Sequence, residues 1–210
     1  MTYTPKTFNI PVLKGISEKA IKVHLGLYEG YVKNVNLIME TLAGYAAYGD
    51  KASEGDKLAI AELRRRFAFE FDGMRMHEYY FPQFEGQKNG LPAQAGNPES
   101  ALAKAAAEKY GSGENFLKHI REVSTTRGNG WTVVYYDTSG KTLHTVFVTN
   151  HELGQLAGLP IILAFDLWEH AYMVDYLPAE KKNYIDALFE NCNWAIVEKR
   201  FDDAMKISAA

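Results

Sequence analysis

Two stretches of the chain carry an apolar stripe that recurs at intervals of three and four residues, which is the spacing of one face of an α-helix. The first stripe covers residues 21–42 and the second covers residues 63–81. Ser17 precedes the first stretch as a suitable N-cap, and a polar, glycine-bearing segment at 48–56 separates the two. Because long helices joined by a short turn pack side by side, the pattern predicts an N-terminal antiparallel helical hairpin.

Each stripe includes a histidine, His24 in the first and His77 in the second. In an antiparallel hairpin, residues equidistant from the turn lie at the same level, and the midpoint of these two positions falls within residues 49–51. The two imidazoles are therefore expected to meet near the open end of the hairpin. A single core histidine is more often a hydrogen-bonded packing residue than a metal ligand, but that interpretation is weaker for two histidines that face each other.

The second half of the chain follows a stretch rich in glycine, proline and asparagine at 84–98, which we interpret as a linker. It divides an N-terminal domain, residues 1–88, from a C-terminal domain, residues 89–210. The fold class is α+β, a helical hairpin followed by a C-terminal α/β domain with a three-stranded antiparallel sheet. The elements expected in the C-terminal domain are helices at 99–110 and 113–124, strands at 131–138, 141–149 and 161–165, and a helical region at 168–205 with a break near 177–182.

The stretch FDLWEHAYMVDY, which begins at Phe165, places two potential metal ligands inside what is otherwise expected to be aromatic core. Asp166 ends the third predicted strand and His170 follows four residues later, so both side chains can converge on one point. Burying a carboxylate or an imidazole costs several kcal/mol unless the group is paired, hydrogen-bonded or bound to a cation. Together with the two hairpin histidines they form a set of three imidazoles and one carboxylate, which suits iron or manganese better than structural zinc.

Composition and charge exclude several classes of partner. The net charge of −3 and the pI of about 6.1 do not fit a nucleic-acid-binding surface, and no run of about 18 apolar residues predicts a membrane span. The single cysteine, Cys192, cannot form an intrachain disulfide and is interpreted as a buried apolar residue. Without a secretory signal pattern, a cytoplasmic location is expected. The arginine run 64–66 is interpreted as a solvated helix face, and His119 and His144 as surface residues.

Several of these segments resemble the iron/manganese superoxide dismutases over nearly the whole chain. The matching stretches are KGISEKAIKVHLGLYEGYVKNVNLI, GNGWTVV, AFDLWEHAYMVDY and the pair Asn193–Trp194. The resemblance implies conversion of superoxide to dioxygen and hydrogen peroxide by redox cycling of one iron or manganese ion per subunit. It also implies a trigonal-bipyramidal ion with water or hydroxide as its fifth ligand. The implied protein ligands are His24, His77, Asp166 and His170.

The same resemblance implies roles for residues around the metal. Tyr31 would guard the substrate channel and share a proton network with bound solvent, His151 would contact that solvent, and Trp131 would line the site with Trp168. These residues also have ordinary interpretations, core packing for the two tryptophans and a plain loop histidine for His151. The resemblance further implies a homodimer, in which Glu169 reaches His170 of the other subunit and Tyr172 lies at the interface.

The chain departs from the family pattern in ways that leave alternatives open. HLGLYEGY is one residue shorter than the common family segment and has Tyr28 where a second histidine is expected, which can remove a bulge from the helix. Gly73 stands where iron members commonly have glutamine, and His151 favours iron or interchangeable metal use. A catalytically weak or inactive metal-binding homologue is therefore an alternative. A non-haem iron oxygenase using two histidines and a carboxylate is a second one, but it requires an open substrate pocket.

Overall fold

The N-terminal half forms the predicted hairpin of two long antiparallel helices. Helix α1 spans Glu18–Ala46 and helix α2 spans Glu54–Tyr80, with a short 3-10 turn, Gly49–Lys51, between them. The hydroxyl of Ser17 accepts the amide N–H of Ala20 at 3.1 Å and caps α1 as predicted. Helix α1 is α-helical throughout its length. This agrees with the expectation that the shorter segment around Tyr28 removes a bulge from the helix.

The computed structural model describes residues 2–86 and 99–207. Most of the predicted linker and the expected domain boundary at 88/89 lie outside these residues, so that division stays a prediction. Among the described residues, no helix has the length and apolar character needed to cross a membrane.

The C-terminal half contains the predicted three-stranded antiparallel sheet. Strand β1, Gly130–Asp137, lies between β2, Thr142–Thr149, and β3, Ile161–Asp166. Strand β1 is buried along nearly its whole length, which explains its continuous run of β-branched and aromatic residues. Two helices precede the sheet as expected, α3 at Ala101–Tyr110 and α4 at Gly113–Ser124.

The C-terminal helical region has more breaks than the sequence predicts. It consists of α5, Glu169–Tyr172, then α6, Lys181–Asn191, and α7, Trp194–Met205. The unexpected break at Asn193 has a tertiary cause, because its backbone N–H donates to the carbonyl of Gln83 at 2.7 Å. Its side-chain oxygen also accepts from the backbone N–H of Ala195 in the first turn of α7. Asn193 is therefore the N-cap residue at which α7 begins.

The hairpin and the sheet meet where the candidate ligands lie. Helix α2 packs against β3, and the amide of Gln83, just after α2, donates to the carbonyl of Ala164 in β3 at 2.5 Å. Trp131 on β1 pairs with Asp166, the last residue of β3. The open end of the hairpin is therefore fixed beside the carboxyl end of β3.

Candidate metal centre

Four side chains from four elements converge at this junction. His24 comes from α1, His77 from α2, Asp166 from the end of β3 and His170 from α5. Each offers one ligand atom, and these atoms all lie within 4.8 Å of one another. His24, His77 and Asp166 are buried and the His170 side chain is 20% exposed, so the group is closed on the hairpin side and reachable near α5.

The distances between these ligand atoms fit a single metal ion. Oδ2 of Asp166 lies 3.1 Å from Nε2 of His24 and 3.2 Å from Nε2 of His170. Nε2 of His77 lies 3.0 Å from Nε2 of His24. Ligands about 2.0 to 2.2 Å from one ion, at angles of about 90° to 120°, are separated by about 3 to 3.8 Å. The donor set and its spacing therefore fit one divalent or trivalent ion held by three imidazoles and a carboxylate.

Neighbouring groups orient the ligand atoms toward this point. Nδ1–H of His77 donates to the carbonyl of Gly73 at 2.6 Å, which leaves the lone pair on Nε2. The backbone N–H of Trp168 donates to Oδ1 of Asp166 at 2.9 Å, which leaves Oδ2 facing the imidazoles. Such outer hydrogen bonds fix the tautomer and direction of a ligand before the ion binds.

Burial and charge hold three of the four groups in the forms that bind metals. Burial lowers the pKa of His24, and it lowers the pKa of His77 well below its usual value. Burial alone would raise the pKa of Asp166, but the charge of His170 and hydrogen bonds from His170 and His24 hold it far below its usual range. Near neutral pH the imidazoles of His24 and His77 are therefore neutral and the carboxylate of Asp166 is ionised.

A hydrogen-bonded chain of three side chains lies beside the four candidate ligands. The indole N–H of Trp131 donates to Nδ1 of His151 at 3.0 Å. Nδ1 is therefore an acceptor and Nε2 carries the proton, which it donates to the hydroxyl of Tyr31 at 2.8 Å. Burial lowers the pKa of His151 to about 4 and raises the pKa of Tyr31, so both groups are neutral at physiological pH.

The loop that carries His151 is held in place by several contacts. Asn150 adopts a left-handed conformation with a φ of 55°, and its carbonyl accepts from the indole N–H of Trp168 at 3.3 Å. The side chain of Gln155 donates to the carbonyl of His151 at 2.8 Å. The Trp168 ring stacks on both His151 and His170, with centroid distances of 5.0 and 5.6 Å. Trp168 thus links the loop histidine to a candidate ligand.

The remaining sequence-predicted residues lie around this core. Glu169 is exposed next to His170, whereas Tyr172 is buried and its ring packs against Tyr184 with centroids 5.4 Å apart. The hydroxyl of Tyr28 accepts from the backbone N–H of Lys6 at 2.9 Å and lies 3.2 Å from Oε1 of Glu78, to which it donates. Tyr28 therefore ties the N-terminal segment to both helices, at the position where a second histidine is expected.

Other predictions of ordinary roles are also met. His144 and His119 lie outside the group of candidate ligands, and His144 is within 3.7 Å of the Asp137 carboxylate at a half-exposed position. Cys192 is buried, and burial raises the pKa of its thiol to about 12, which makes it unreactive.

Sequence reasoning missed two features of α2 that shape the site. Phe69 packs edge-on against His151 with a centroid distance of 4.6 Å, although the predicted stripe included Phe67 instead. Arg66, interpreted as part of a solvated face, lies with its guanidinium carbon 3.9 Å from the centre of the Phe69 ring. The helix period offered no signal for Phe69, because Phe67 and Phe69 are rotated by about 80° from His77 in opposite directions.

Comparison with known proteins places these features in context. A family model described as iron/manganese superoxide dismutases, C-terminal domain, matches residues 98–200. The manganese superoxide dismutase 2 of Halobacterium salinarum is 32% identical over 193 residues, which is 91% of this chain and 90% of the relative. The iron superoxide dismutase of Saccharolobus solfataricus is 31% identical over 203 residues, 93% of this chain and 90% of the relative. The iron superoxide dismutase of Aquifex aeolicus is 32% identical over 196 residues, which is 92% of this chain and 88% of the relative.

The fold and the site define a class of protein in which a helical hairpin and a small antiparallel sheet bring together four side chains that could hold one metal ion. The chain belongs to the iron/manganese superoxide dismutase family. The resemblance found in the sequence and the predicted fold class are thereby confirmed.

Proposed function

We propose that this protein is a superoxide dismutase that converts superoxide to dioxygen and hydrogen peroxide. The observation that carries the proposal is the convergence of His24, His77, Asp166 and His170 on one point. These residues would hold one iron or manganese ion, which when bound supplies the one-electron oxidation and reduction that the reaction needs. Named relatives that use either metal support this assignment.

The protein's own contribution is to hold a proton close to the reaction and to limit access. The Tyr31 hydroxyl is protonated at neutral pH and accepts a hydrogen bond from His151, so its own proton is not used in that bond. Trp131 fixes the tautomer of His151 that makes this bond possible. The rings of Trp168 and Phe69 both pack against His151, with centroid distances of 5.0 and 4.6 Å. We assign Tyr31, His151 and Trp131 to the catalytic machinery on these grounds.

We further propose that the site works with iron or with either metal. His151 supports this, because its neutral Nε2–H donates to the Tyr31 hydroxyl beside the four candidate ligands, and outer hydrogen bonds of this kind tune a bound metal. Separate reconstitution of the metal-free chain with iron and with manganese tests the proposal. Activity per bound iron at least equal to that per bound manganese is expected, and activity with manganese alone would contradict it.

A homodimer is the proposed assembly, with Glu169 of one subunit reaching His170 of the other. Support comes from the exposure of Glu169 and from the 20% exposure of the His170 side chain on the same surface. Analytical ultracentrifugation of the wild type and of Glu169→Ala tests it. The wild type is expected to be dimeric. The dimer of the variant is expected to be weaker, so that it is already dissociated at protein concentrations at which the wild type is still dimeric. A cytoplasmic location stays a prediction, which cell fractionation can test.

One observation favours the alternative of a metal-binding homologue with weak activity. Tyr28 occupies the position of the expected second histidine, and burial raises its pKa to about 12, so it cannot replace an imidazole in proton transfer near neutral pH. Full metal occupancy with no turnover would support this alternative. The oxygenase interpretation is weaker, because the structure brings three imidazoles to the carboxylate and surrounds them with aromatic rings.

The central experiment compares the metal-loaded wild type with His170→Ala and with the matched surface variant His144→Ala. Superoxide decay per chain is expected to be fast for the wild type and His144→Ala, and close to the rate of free metal for His170→Ala. Equal rates for all three proteins would mean that adventitious metal, rather than this site, is responsible.

A further inference from the structure

The outer edge of strand β3 leads directly to the candidate ligand Asp166. In the part of the chain that the structure describes, β3 lies at one side of the three-stranded sheet, with β1 as its neighbour. Leu167, just after β3, donates its backbone N–H to the carbonyl of Gly130 at 2.9 Å. Because backbone groups alternate along a strand, those of Ile162, Ala164 and Asp166 point away from β1. All three residues are buried, so their carbonyls need donors from outside the sheet.

Side chains bond to this edge in place of a further strand. The amide of Gln83 donates to the carbonyl of Ala164 at 2.5 Å, and its oxygen accepts the N–H of the same residue at 3.5 Å. The guanidinium of Arg200, on α7, donates to the carbonyl of Ile162 at 3.4 Å and to that of Tyr79 at 2.7 Å. Tyr79 is in the last turn of α2 and Gln83 follows that helix, so both connections join β3 to the end of α2.

Tyr184, on α6, makes the third connection, and its partner is the backbone of a candidate ligand. Its hydroxyl donates to the carbonyl of Asp166 at 2.9 Å. Because that bond uses the only proton of the Tyr184 hydroxyl, the Tyr80 hydroxyl is the donor in the 3.0 Å contact between the two tyrosines. Both side chains are fully buried, and burial raises the pKa of each hydroxyl above its usual value, so both protons stay in place at neutral pH.

These bonds connect two candidate ligands that come from different halves of the molecule. From His77, the connection to the Asp166 backbone runs through Tyr80, three residues later on α2, and then through two hydrogen bonds. The hydrogen bonds to Nδ1 of His77 and to Oδ1 of Asp166 orient each ligand within its own segment. The separation of the two ligands, 3.5 Å between Nε2 and Oδ2, depends instead on how α2 is held against β3.

We propose that Tyr184 is a positioning residue for the metal centre, and that its two hydrogen bonds fix the separation of His77 and Asp166. Gln83 acts in the same way two residues earlier on β3. Ligands that are already held at the spacing of the bound state lose less freedom when an ion binds, so loss of these bonds weakens metal binding. This role depends on the proposed metal site and not on dismutation.

The test is the Kd of the metal-free chain for Mn²⁺ and, without oxygen, for Fe²⁺. Equilibrium dialysis against chelator-buffered metal, followed by elemental analysis, measures it. Tyr184→Phe removes a single hydroxyl, and its Kd is expected to be about tenfold higher than the wild-type value. Tyr110→Phe is the matched control, because its hydroxyl lies 3.3 Å from that of Thr145 on β2, a strand without candidate ligands. The Kd of the control should stay within about 1.5-fold of the wild-type value.

A purely structural role for Tyr184 would not raise this Kd. When wild type and variant are both fully folded, a loss of stability alone leaves the affinity of the folded chain unchanged. Urea unfolding of the metal-free proteins establishes that each is folded under the conditions of dialysis. The EPR spectrum of bound Mn²⁺ gives a second readout, because its zero-field splitting depends on the positions of the ligands. It should change in Tyr184→Phe and match the wild type in Tyr110→Phe.

Two further variants keep the test decisive if Tyr184→Phe does not fold. Tyr80→Phe removes the bond that supports Tyr184, and Gln83→Met removes the bonds to β3, so each should raise the Kd about threefold. Kd values no higher than that of Tyr110→Phe for the folded members of this set would overturn the inference. A wild-type chain that binds neither ion would overturn the proposed metal site and this role together.

Discussion

Gly73 offers the sharpest test of how the hairpin shapes the site, because a single added methyl group has no space there. A Cβ on this residue would lie 2.7 Å from Cδ1 and 2.8 Å from Cε1 of Tyr31. Tyr31 cannot yield freely, since its ring is packed between the two helices and its hydroxyl accepts from His151 at 2.8 Å. Gly73→Ala must therefore displace the ring or the helix.

The expected cost follows from three contributions. Overpacking of a buried site costs about 1 to 3 kcal/mol, and loss of the Tyr31–His151 hydrogen bond costs about 1 kcal/mol more. Replacing a helical glycine by alanine by itself raises the free energy of unfolding by up to about 1 kcal/mol. The free energy of unfolding of Gly73→Ala should therefore be about 2 kcal/mol lower than that of the wild type.

Urea unfolding of the metal-free proteins measures this difference, with Gly44→Ala as the matched control. Gly44 also lies in a helix of the hairpin, α1, and a Cβ there would meet nothing within 4 Å. The control should be as stable as the wild type or more stable by up to about 1 kcal/mol. Gly73→Ala should also lose dismutation activity as Tyr31 moves. Equal stability of the two variants, with activity retained, would refute the reasoning.

Three further predictions concern protonation, metal binding and the hairpin. Because the pKa of His151 is lowered to about 4, the unfolded chain takes up its proton first as the pH falls. The metal-free protein should therefore lose about 3 kcal/mol of stability from this residue between pH 6.5 and pH 4, and His151→Gln should remove that part of the slope in urea unfolding. Asp166→Asn keeps the shape but removes the charged ligand, so elemental analysis should find far less bound metal, and wild-type occupancy would contradict the ligand assignment. Ser53→Ala breaks the capping box with Asp56 at the start of α2 and should lower the unfolding free energy by about 1 kcal/mol, whereas an unchanged denaturation midpoint would contradict that role.

The hairpin and the meeting of His24 with His77 could be predicted because both follow from local pattern. Helix periodicity decides which face of each helix is apolar, and the position of the turn decides which residues of the two helices lie side by side. Because His24 and His77 are equally far from the turn, the two imidazoles lie at the same level. The strands were predictable for the same reason, since alternation and turn residues are local signals. Asp166 and His170 lie four residues apart and needed no long-range information to be placed together.

The parts that escaped prediction depend on contacts distant in the sequence. Phe69 and Phe67 are two positions apart on α2, and only the packing of α1 and the His151 loop decides which one faces the site. Arg66 pairs with the buried carboxylate of Glu70 and Arg65 with the exposed carboxylate of Glu62, and the contact of Arg66 with Phe69 depends on how α2 packs. The break at Asn193 arises from its bonds to residues more than a hundred positions away.

The most direct measurement is the decay of superoxide in the presence of a much smaller amount of the metal-loaded chain, with bound metal determined on the same sample. If the four ligands form a redox site, each chain should consume many superoxide ions and release dioxygen and hydrogen peroxide in equal amounts. Consumption that stops after about one superoxide per bound metal, or that matches free metal at the same concentration, would contradict the account.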